Sequence, residues 1–173
     1  HRLSMFNLLE EYAKASNTQH DTVYIQKEEW GTGEPGGTPL LIKKPDKSLN
    51  VLIGKLPQAK KILETKGQDA YNKEADSLIK NFRIIIENAI ESVLLTGIVK
   101  RHKRQINSRQ VTELAKIKKE DCKLIDDLMT KYSRFLHSES GETSGPLPKP
   151  EDLKEDFESL TSWIKEFENR PPN

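Results

Sequence analysis

An arginine and a glutamate stand four residues apart in an otherwise apolar stretch, and they are the first candidates for chemistry. The stretch reads FRIIIE, and on a helix the Cβ atoms of Arg83 and Glu87 lie about 6 Å apart on one face. A carboxylate that moves a proton and a guanidinium that stabilises charge on phosphorus can together cleave RNA without a metal ion. The same spacing is common in intrahelical salt bridges, so a structural pair is the alternative interpretation.

His137 is the candidate for the third group of such a site. It follows the apolar stripe of a predicted helix and precedes a stretch rich in Ser, Gly and Pro, so we expect its imidazole at a helix C-terminus. The helix dipole favours a protonated imidazole there. Glu87 and His137 would then share the roles of base and acid. In the structural alternative, His137 ends the helix and hydrogen-bonds its last carbonyl groups.

A basic segment beyond the charged pair is the candidate nucleic-acid contact. Between residues 100 and 119 cations outnumber acids, whereas acids dominate from 151 to 168, although the net charge of the chain is only +1. Lysine and arginine neutralise the phosphates of nucleic acids. The residues expected to contact phosphate are Lys100, Arg101, Lys103, Arg104, Arg109 and Lys131. A solvated surface segment is the alternative.

The element that must position Arg83 and Glu87 is a long helix predicted from Asp69 to Leu95. Its apolar residues occupy most of its circumference, which indicates that it is buried. We therefore expect the two charged side chains either to pair inside the domain or to face a cleft. Gly97 is expected to end this helix.

The periodicity of the whole chain predicts a mainly α protein, a helical bundle preceded by a small α/β portion. The other helices are expected at about 4–16, 57–66, 122–136 and 150–170.

The segment before residue 55 has a different character. Residues 22–27 alternate as a strand does, the glycine-rich 31–39 is typical of a turn, and 40–52 fit a short strand and a loop. We therefore predict two domains, over 1–54 and 55–170.

Composition limits the cofactors and the location. Cys122 is the only cysteine, which excludes an internal disulfide and a cysteine-rich metal site and fits a reducing cytosol. No apolar run reaches the roughly 18 residues of a membrane span, and no signal peptide is visible. We expect a cytoplasmic protein with neither metal nor cofactor in this chain. Because the first residue is His1 rather than Met, we expect a piece of a longer protein.

Three segments resemble a known family. They read RIIIENAIESVLLTGIVKRHKRQ, IKKEDCKLIDDLMTKYSRFLHSE and LPKPEDLKEDFESLTSWIKEF, and they resemble the C-terminal region of bacterial ATPases related to the anticodon nucleases PrrC and RloC. Those nucleases are grouped with the HEPN helical ribonucleases. The order of Arg83, Glu87 and His137 is similar to the Arg, Glu and His set that they use on a tRNA anticodon loop. The usual Arg–His spacing of HEPN nucleases is absent, because Arg134 stands too close to His137.

The start of the chain resembles the same proteins. His1, leading into RLS and FNLLEEYAKA, is similar to the switch histidine near the end of an ABC-type ATPase head, where it would contact the γ-phosphate. The resemblance implies that residues 1–54 are a remnant of that head, and that ATP and Mg²⁺ bind in a longer parent protein. It also implies a homodimer, tRNA as the substrate and a role in defence against phage.

The first functional hypothesis is therefore an ATPase-coupled, metal-independent endoribonuclease. Two alternatives stay open. One is a non-catalytic helical module that dimerises or docks a partner of an ABC- or SMC-like ATPase, with Arg83 and Glu87 as a structural pair. The other is simple nucleic-acid binding through residues 100–109.

Overall fold

A computed structural model describes residues 9, 11–19, 24–28, 31–36, 43–100, 104–137 and 146–172. Within them the chain is mainly helical, as predicted. Residues 9 and 11–15 are helical and form α1. The long helices are α2 (Pro45–Lys66), α3 (Gln68–Ala89), α4 (Lys119–His137) and α5 (Pro150–Asn169), with a 3₁₀ helix at Ser108–Lys116.

Two short strands precede the long helices. β1 (Tyr24–Glu28) and β2 (Gly31–Gly36) pair as an antiparallel hairpin. β1 confirms the predicted strand over 22–27, whereas the predicted turn over 31–39 is wrong for Gly31–Gly36. Gly33 is the extra residue of a β-bulge in β2. A strand that contains glycine and proline is tolerated because each strand of a two-stranded sheet has a free edge.

α2 begins earlier than predicted. Pro45 occupies the start of the helix, where its missing N–H costs nothing. Leu49 and Leu52, expected in a strand and a loop, are fully buried in the core. Pro57, the predicted first residue, lies inside α2, because burial of the leucines outweighs the hydrogen bond that proline cannot donate. The predicted boundary between residues 54 and 55 falls within α2, so the helical unit starts at Pro45.

α3 is the central helix, as predicted, and packs against α2, α4 and α5. The ring of Phe82 on α3 lies 4.7 Å from the ring of Tyr132 on α4 and 4.5 Å from the ring of Phe157 on α5, measured between centroids. Three helices therefore meet at Phe82. The buried residues of α3 are Tyr71, Ala75, Leu78, Ile79, Phe82, Ile85, Ile86 and Ala89.

The end of the central helix is irregular. A π-helical turn at Ile90–Leu94 continues α3, and the Leu95 N–H donates to the Ile90 carbonyl at 2.9 Å. Thr96 and Gly97 then both have positive φ, 49° and 68°, and Gly97 ends the helix as predicted. Glycine adopts this conformation freely, but a β-branched residue such as Thr96 is strained in it.

Contacts between side chains give the relative directions of α3 and α5. The Tyr71 hydroxyl near the start of α3 donates to the carbonyl of Pro148, just before α5. Further along both helices, Phe82 contacts Phe157. Because residue numbers rise together in these contacts, α3 and α5 run in the same direction.

α4 runs the opposite way. Lys131, late in α4, pairs with Asp156, early in α5, whereas Asp121, early in α4, bonds Trp163, late in α5. Since α4 is antiparallel to α5, and α5 is parallel to α3, α4 is also antiparallel to α3. This direction decides where the last turn of α4 lies relative to the charged pair.

A buried carboxylate fixes the start of α4 against the end of α5. Asp121 is 2% exposed and accepts hydrogen bonds from Trp163 Nε1 at 2.9 Å and from Arg170 Nη1 at 2.6 Å. Burial raises the pKa of Asp121, but the hydrogen bonds from Arg170, the Lys118 backbone N–H and Trp163 outweigh it and hold the pKa below its ordinary value. The neighbouring Cys122 is exposed.

Candidate active site between α3 and α4

Arg83 and Glu87 form an ion pair on the face of α3. Arg83 Nη1 lies 3.1 Å from Glu87 Oε1, and the two side chains are 31% and 24% exposed. Both exposures exceed that of the buried pair formed by Arg170 and Asp121, which are 10% and 3% exposed. Solvent, and therefore a ligand, reaches Arg83 and Glu87, so they are a partly exposed pair and not an ion pair sealed in the core.

The pair faces α4. The Nε–H of Arg83 donates to the Ser133 hydroxyl oxygen at 3.4 Å, a long hydrogen bond that joins α3 to α4. Arg83 thus engages Glu87 along its own helix and Ser133 across the helix interface. A guanidinium has five donors, so these two contacts leave N–H groups available for a further acceptor.

His137 is the last residue of α4 and lies one helical turn beyond Ser133, about 6 Å along the axis. Because α4 is antiparallel to α3, residue 137 and Glu87 lie on opposite sides of Arg83 along the helix axes. The side chain of His137 is outside the described part of the structure. The meeting of His137 with Arg83 and Glu87 therefore stays a prediction.

The predicted phosphate contacts fall into three groups. Lys100 Nζ lies 3.7 Å from a carboxylate oxygen of Glu11 in α1. Arg104 and Arg109 are exposed, and neither has an ion pair within the described residues. Arg101 and Lys103 lie outside the described residues, as does His1, the predicted switch histidine.

Lys131, also predicted to contact phosphate, is paired within the chain. Its Nζ lies 2.6 Å from Asp156 Oδ2, and the same oxygen accepts a hydrogen bond from the Tyr132 hydroxyl. Burial of Tyr132, and then the hydrogen bond to Asp156, raise the pKa of the phenol well above its ordinary value. Lys131 therefore joins α4 to α5 through Asp156.

Sequence reasoning did not single out Asp156, although a signal was present. It follows Leu153 by three residues and precedes Leu160 by four, and both leucines are fully buried. This spacing places Asp156 beside the buried stripe of α5, where a carboxylate needs a partner.

The described residues include no group of three or more His, Cys, Asp or Glu side chains placed to hold a metal ion. None of the helices among them is both long and apolar enough to cross a membrane. No protein-family model, curated protein or solved structure matches this chain.

Proposed function

We propose that the chain is the C-terminal module of an ATPase-coupled endoribonuclease that cleaves RNA without a metal ion. Arg83, Glu87 and His137 are its catalytic groups. The observation that supports this proposal best is the contact of Arg83 with Ser133, because it brings the guanidinium of α3 to α4, one helical turn before His137.

The reaction is an internal transesterification. The ribose 2′-oxygen forms a bond to phosphorus while the bond from phosphorus to the 5′-oxygen of the next nucleotide breaks, which gives a 2′,3′-cyclic phosphate and a free 5′-hydroxyl. One of Glu87 and His137 takes the proton of the 2′-hydroxyl, and the other protonates the leaving 5′-oxygen. The guanidinium of Arg83 stabilises the negative charge that grows on the phosphoryl oxygens.

The order of the groups along the helices suits this division of roles. Arg83 lies between Glu87 and residue 137, so a phosphate bound at the guanidinium has the carboxylate on one side and the last turn of α4 on the other. Base and acid act on opposite sides of the phosphorus in such a displacement. The C-terminus of α4 favours the protonated imidazole, which assigns the acid role to His137 and the base role to Glu87.

The wider part of the proposal rests on the resemblance of the sequence. By that resemblance the module is HEPN-like and dimeric, its substrate is the anticodon loop of a tRNA, and it acts against phage. ATP and Mg²⁺ would bind in the ATPase head of the longer parent, which the residues before Pro45 would continue.

A structural role for the pair is the second candidate. Arg83 already engages Glu87 and Ser133, and this arrangement alone would join α3 to α4 in a docking or dimerisation module. A double-mutant cycle on Arg83 and Glu87 distinguishes the two functions. A partly exposed i,i+4 pair contributes about 0.5 kcal/mol to the free energy of unfolding. A coupling of several kcal/mol would favour the structural role.

Cleavage of tRNA in the presence of EDTA tests the catalytic proposal. We expect 2′,3′-cyclic phosphate ends, and a loss of rate of about 100-fold or more in Arg83→Ala, Glu87→Gln and His137→Ala. Lys123→Ala is the matched control, since it removes another i,i+4 ion pair, to Asp127 on α4. Thermal unfolding of each variant reports whether it folds. Absence of cleavage by the folded wild-type protein, or equal rates in all four variants, would refute the proposal.

A further inference from the structure

A polar cavity lies just beyond the π-helical end of α3. Its volume is about 300 Å³, and its lining residues are Gly97, Lys100, Gln105, Ile106 and Asn107. The cavity is held together by the backbone, because the Asn107 N–H donates to the Ile98 carbonyl at 2.9 Å and folds the segment back on itself. A volume of this size accommodates a nucleotide-sized group.

Three of the five residues that line the cavity carry side-chain hydrogen-bond donors suited to an anion. Lys100 brings an ammonium, and Gln105 and Asn107 each bring an amide with two N–H donors. Within the described residues neither amide side chain has a hydrogen-bond partner in the protein. Both are exposed, so water satisfies them and a ligand can displace that water. Arg104, directly before Gln105, adds positive charge at the rim.

An anionic oxygen of the chain itself already lies at this cation. The carboxylate of Glu11 in α1 is 3.7 Å from Lys100 Nζ, with the side chains 38% and 40% exposed. A separation of 3.7 Å is longer than a close charge-assisted hydrogen bond, and such an exposed pair contributes little free energy. Glu11, which is not among the residues that line the cavity, therefore holds the Lys100 ammonium only loosely.

Gly97 leaves room for the lysine stem. A Cβ built on Gly97 would lie 3.3 Å from Cε of Lys100, and the residue has a positive φ of 68°. Glycine suits this position because it adopts a positive φ freely and has no Cβ to crowd the Lys100 side chain. The Lys100 ammonium therefore lies close to the turn of the backbone.

We propose that this cavity binds a phosphate group of the RNA strand whose scissile bond lies at Arg83, and that Glu11 competes with that phosphate for Lys100. The inference rests on the proposed function, because it supplies the substrate with a second point of attachment. Gly97 follows Glu87 by ten residues, most of them helical, which limits the separation to about 15 Å along the helix. A single strand of a few nucleotides spans that length.

Binding of a 2′-O-methylated RNA oligonucleotide, which cannot be cleaved, tests the cavity separately from catalysis. Fluorescence anisotropy at low salt is the measurement. We expect Lys100→Gln and Asn107→Ala to weaken binding about tenfold and about threefold, because each removes a hydrogen bond to a charged oxygen. Glu11→Gln should strengthen binding about twofold to fivefold, since it removes the internal competitor.

Lys119→Gln is the matched control, because Lys119 is an exposed cation outside the cavity and has no ion pair among the described residues. Equal losses in Lys100→Gln and Lys119→Gln would mean diffuse attraction and would overturn the cavity proposal. No binding by the wild-type protein, or unchanged affinity in Glu11→Gln, would also overturn it. Inorganic phosphate and a mononucleotide serve as competitors, and displacement of the oligonucleotide by either at equal concentration would assign the site to a free phosphate ligand instead.

The outcome is independent of the cleavage test. Cavity binding with no cleavage would refute the nuclease and leave a nucleic-acid-binding module. Cleavage with no dependence on Lys100 or Glu11 would refute the cavity and leave the nuclease.

Discussion

Arg83 Nε and Ser133 Oγ lie 3.4 Å apart, although 50 residues separate them in the sequence. This contact fixes the rotation of α3 relative to α4, and it brings the charged pair to the interface of the two helices. The contact also makes Ser133 a positioning residue for Arg83.

Ser133→Ala should therefore lower activity more than stability. It removes one hydrogen bond at a partly exposed site, so we expect the free energy of unfolding to fall by about 1 kcal/mol or less. If the proposed function holds, the cleavage rate should fall about fivefold or more while KM changes little, because the guanidinium is less well oriented. Thr130→Ala on the exposed side of α4 is the control. Identical kinetics in the two variants would contradict a positioning role.

The buried carboxylate of Asp121 should make stability depend on acid pH. Its folded pKa is below the unfolded value of 3.8, so its contribution is fully present above about pH 3.8 and is lost as the pH falls through the folded pKa. Asp121→Ala leaves Arg170 without its buried partner and should cost about 3 kcal/mol at neutral pH. Urea denaturation at a series of pH values measures both effects.

The exposed Asp126 on the same helix provides the comparison for Asp121. Asp126→Ala should change the free energy of unfolding by less than about 0.5 kcal/mol. The difference between wild type and Asp121→Ala should shrink below pH 3.8, where the carboxylate takes up a proton. A difference that stays constant down to the acid transition would show that the carboxylate charge contributes nothing.

Tyr132→Phe should destabilise the bundle without changing its shape. The variant keeps the ring that packs on Phe82 but loses the hydroxyl that donates to Asp156. Loss of a hydrogen bond to a charged group costs about 1.5–3 kcal/mol. Because the folded pKa of Tyr132 is raised, its contribution is present below about pH 10 and is lost as the pH rises further.

Ultraviolet absorbance during a base titration checks the behaviour of Tyr132. Its phenol should ionise only with alkaline unfolding. Tyr12→Phe is the control for stability and should be neutral within about 0.5 kcal/mol. Ionisation of Tyr132 in the folded protein near pH 10 would contradict its contact with Asp156.

Thr96→Gly should stabilise the protein. Thr96 has a φ of 49°, and its hydroxyl oxygen is buried with no hydrogen-bond partner in the described structure. Glycine removes both the backbone strain and the unsatisfied hydroxyl, so we expect a gain of about 1 kcal/mol in thermal denaturation. Thr130→Gly, inside α4, should instead lose about 0.5 kcal/mol. Destabilisation of equal size in both variants would show that Thr96 is not strained.

Periodicity in the sequence predicts the helices that bury a regular stripe. α5 begins at Pro150 as predicted, and the residues that recur at helical spacing along it are buried: Leu153, Phe157, Leu160, Ile164 and Phe167. α3 is central for the same reason, since its buried residues recur every three or four positions from Tyr71 to Ala89. These features depend on local spacing alone, which a single sequence displays.

Other features depend on contacts between distant residues and could not be predicted in this way. Pro57 is a helix-start signal in isolation, yet it lies inside α2 because Leu49 and Leu52 are buried against other helices. Likewise, the buried residue at the start of α4 is the charged Asp121 and not its neighbour Cys122. Its partners Trp163 and Arg170 are 42 and 49 residues away.

In the candidate site, too, local spacing predicts some contacts and tertiary packing decides the others. The four-residue spacing predicts that Arg83 and Glu87 share a face, and the ion pair between them follows from it. The facing residue, Ser133, depends on the packing of α4 against α3, which no local pattern encodes. The engagement of Lys131 by Asp156 is a tertiary contact of the same kind, and it is why a lysine expected to face phosphate is bound within the chain.

The separation of 50 residues between Arg83 and Ser133 also has a meaning for synthesis on the ribosome. A growing chain that has completed α3 carries the ion pair but lacks the opposing helix until α4 emerges. Under the proposed function, a truncated or unfinished polypeptide would be harmless to the RNA of the cell that makes it, because Arg83 lacks Ser133 and the proposed catalytic residue His137, both on α4. Under that proposal, the order of the helices along the chain would delay toxicity until α4 has been translated.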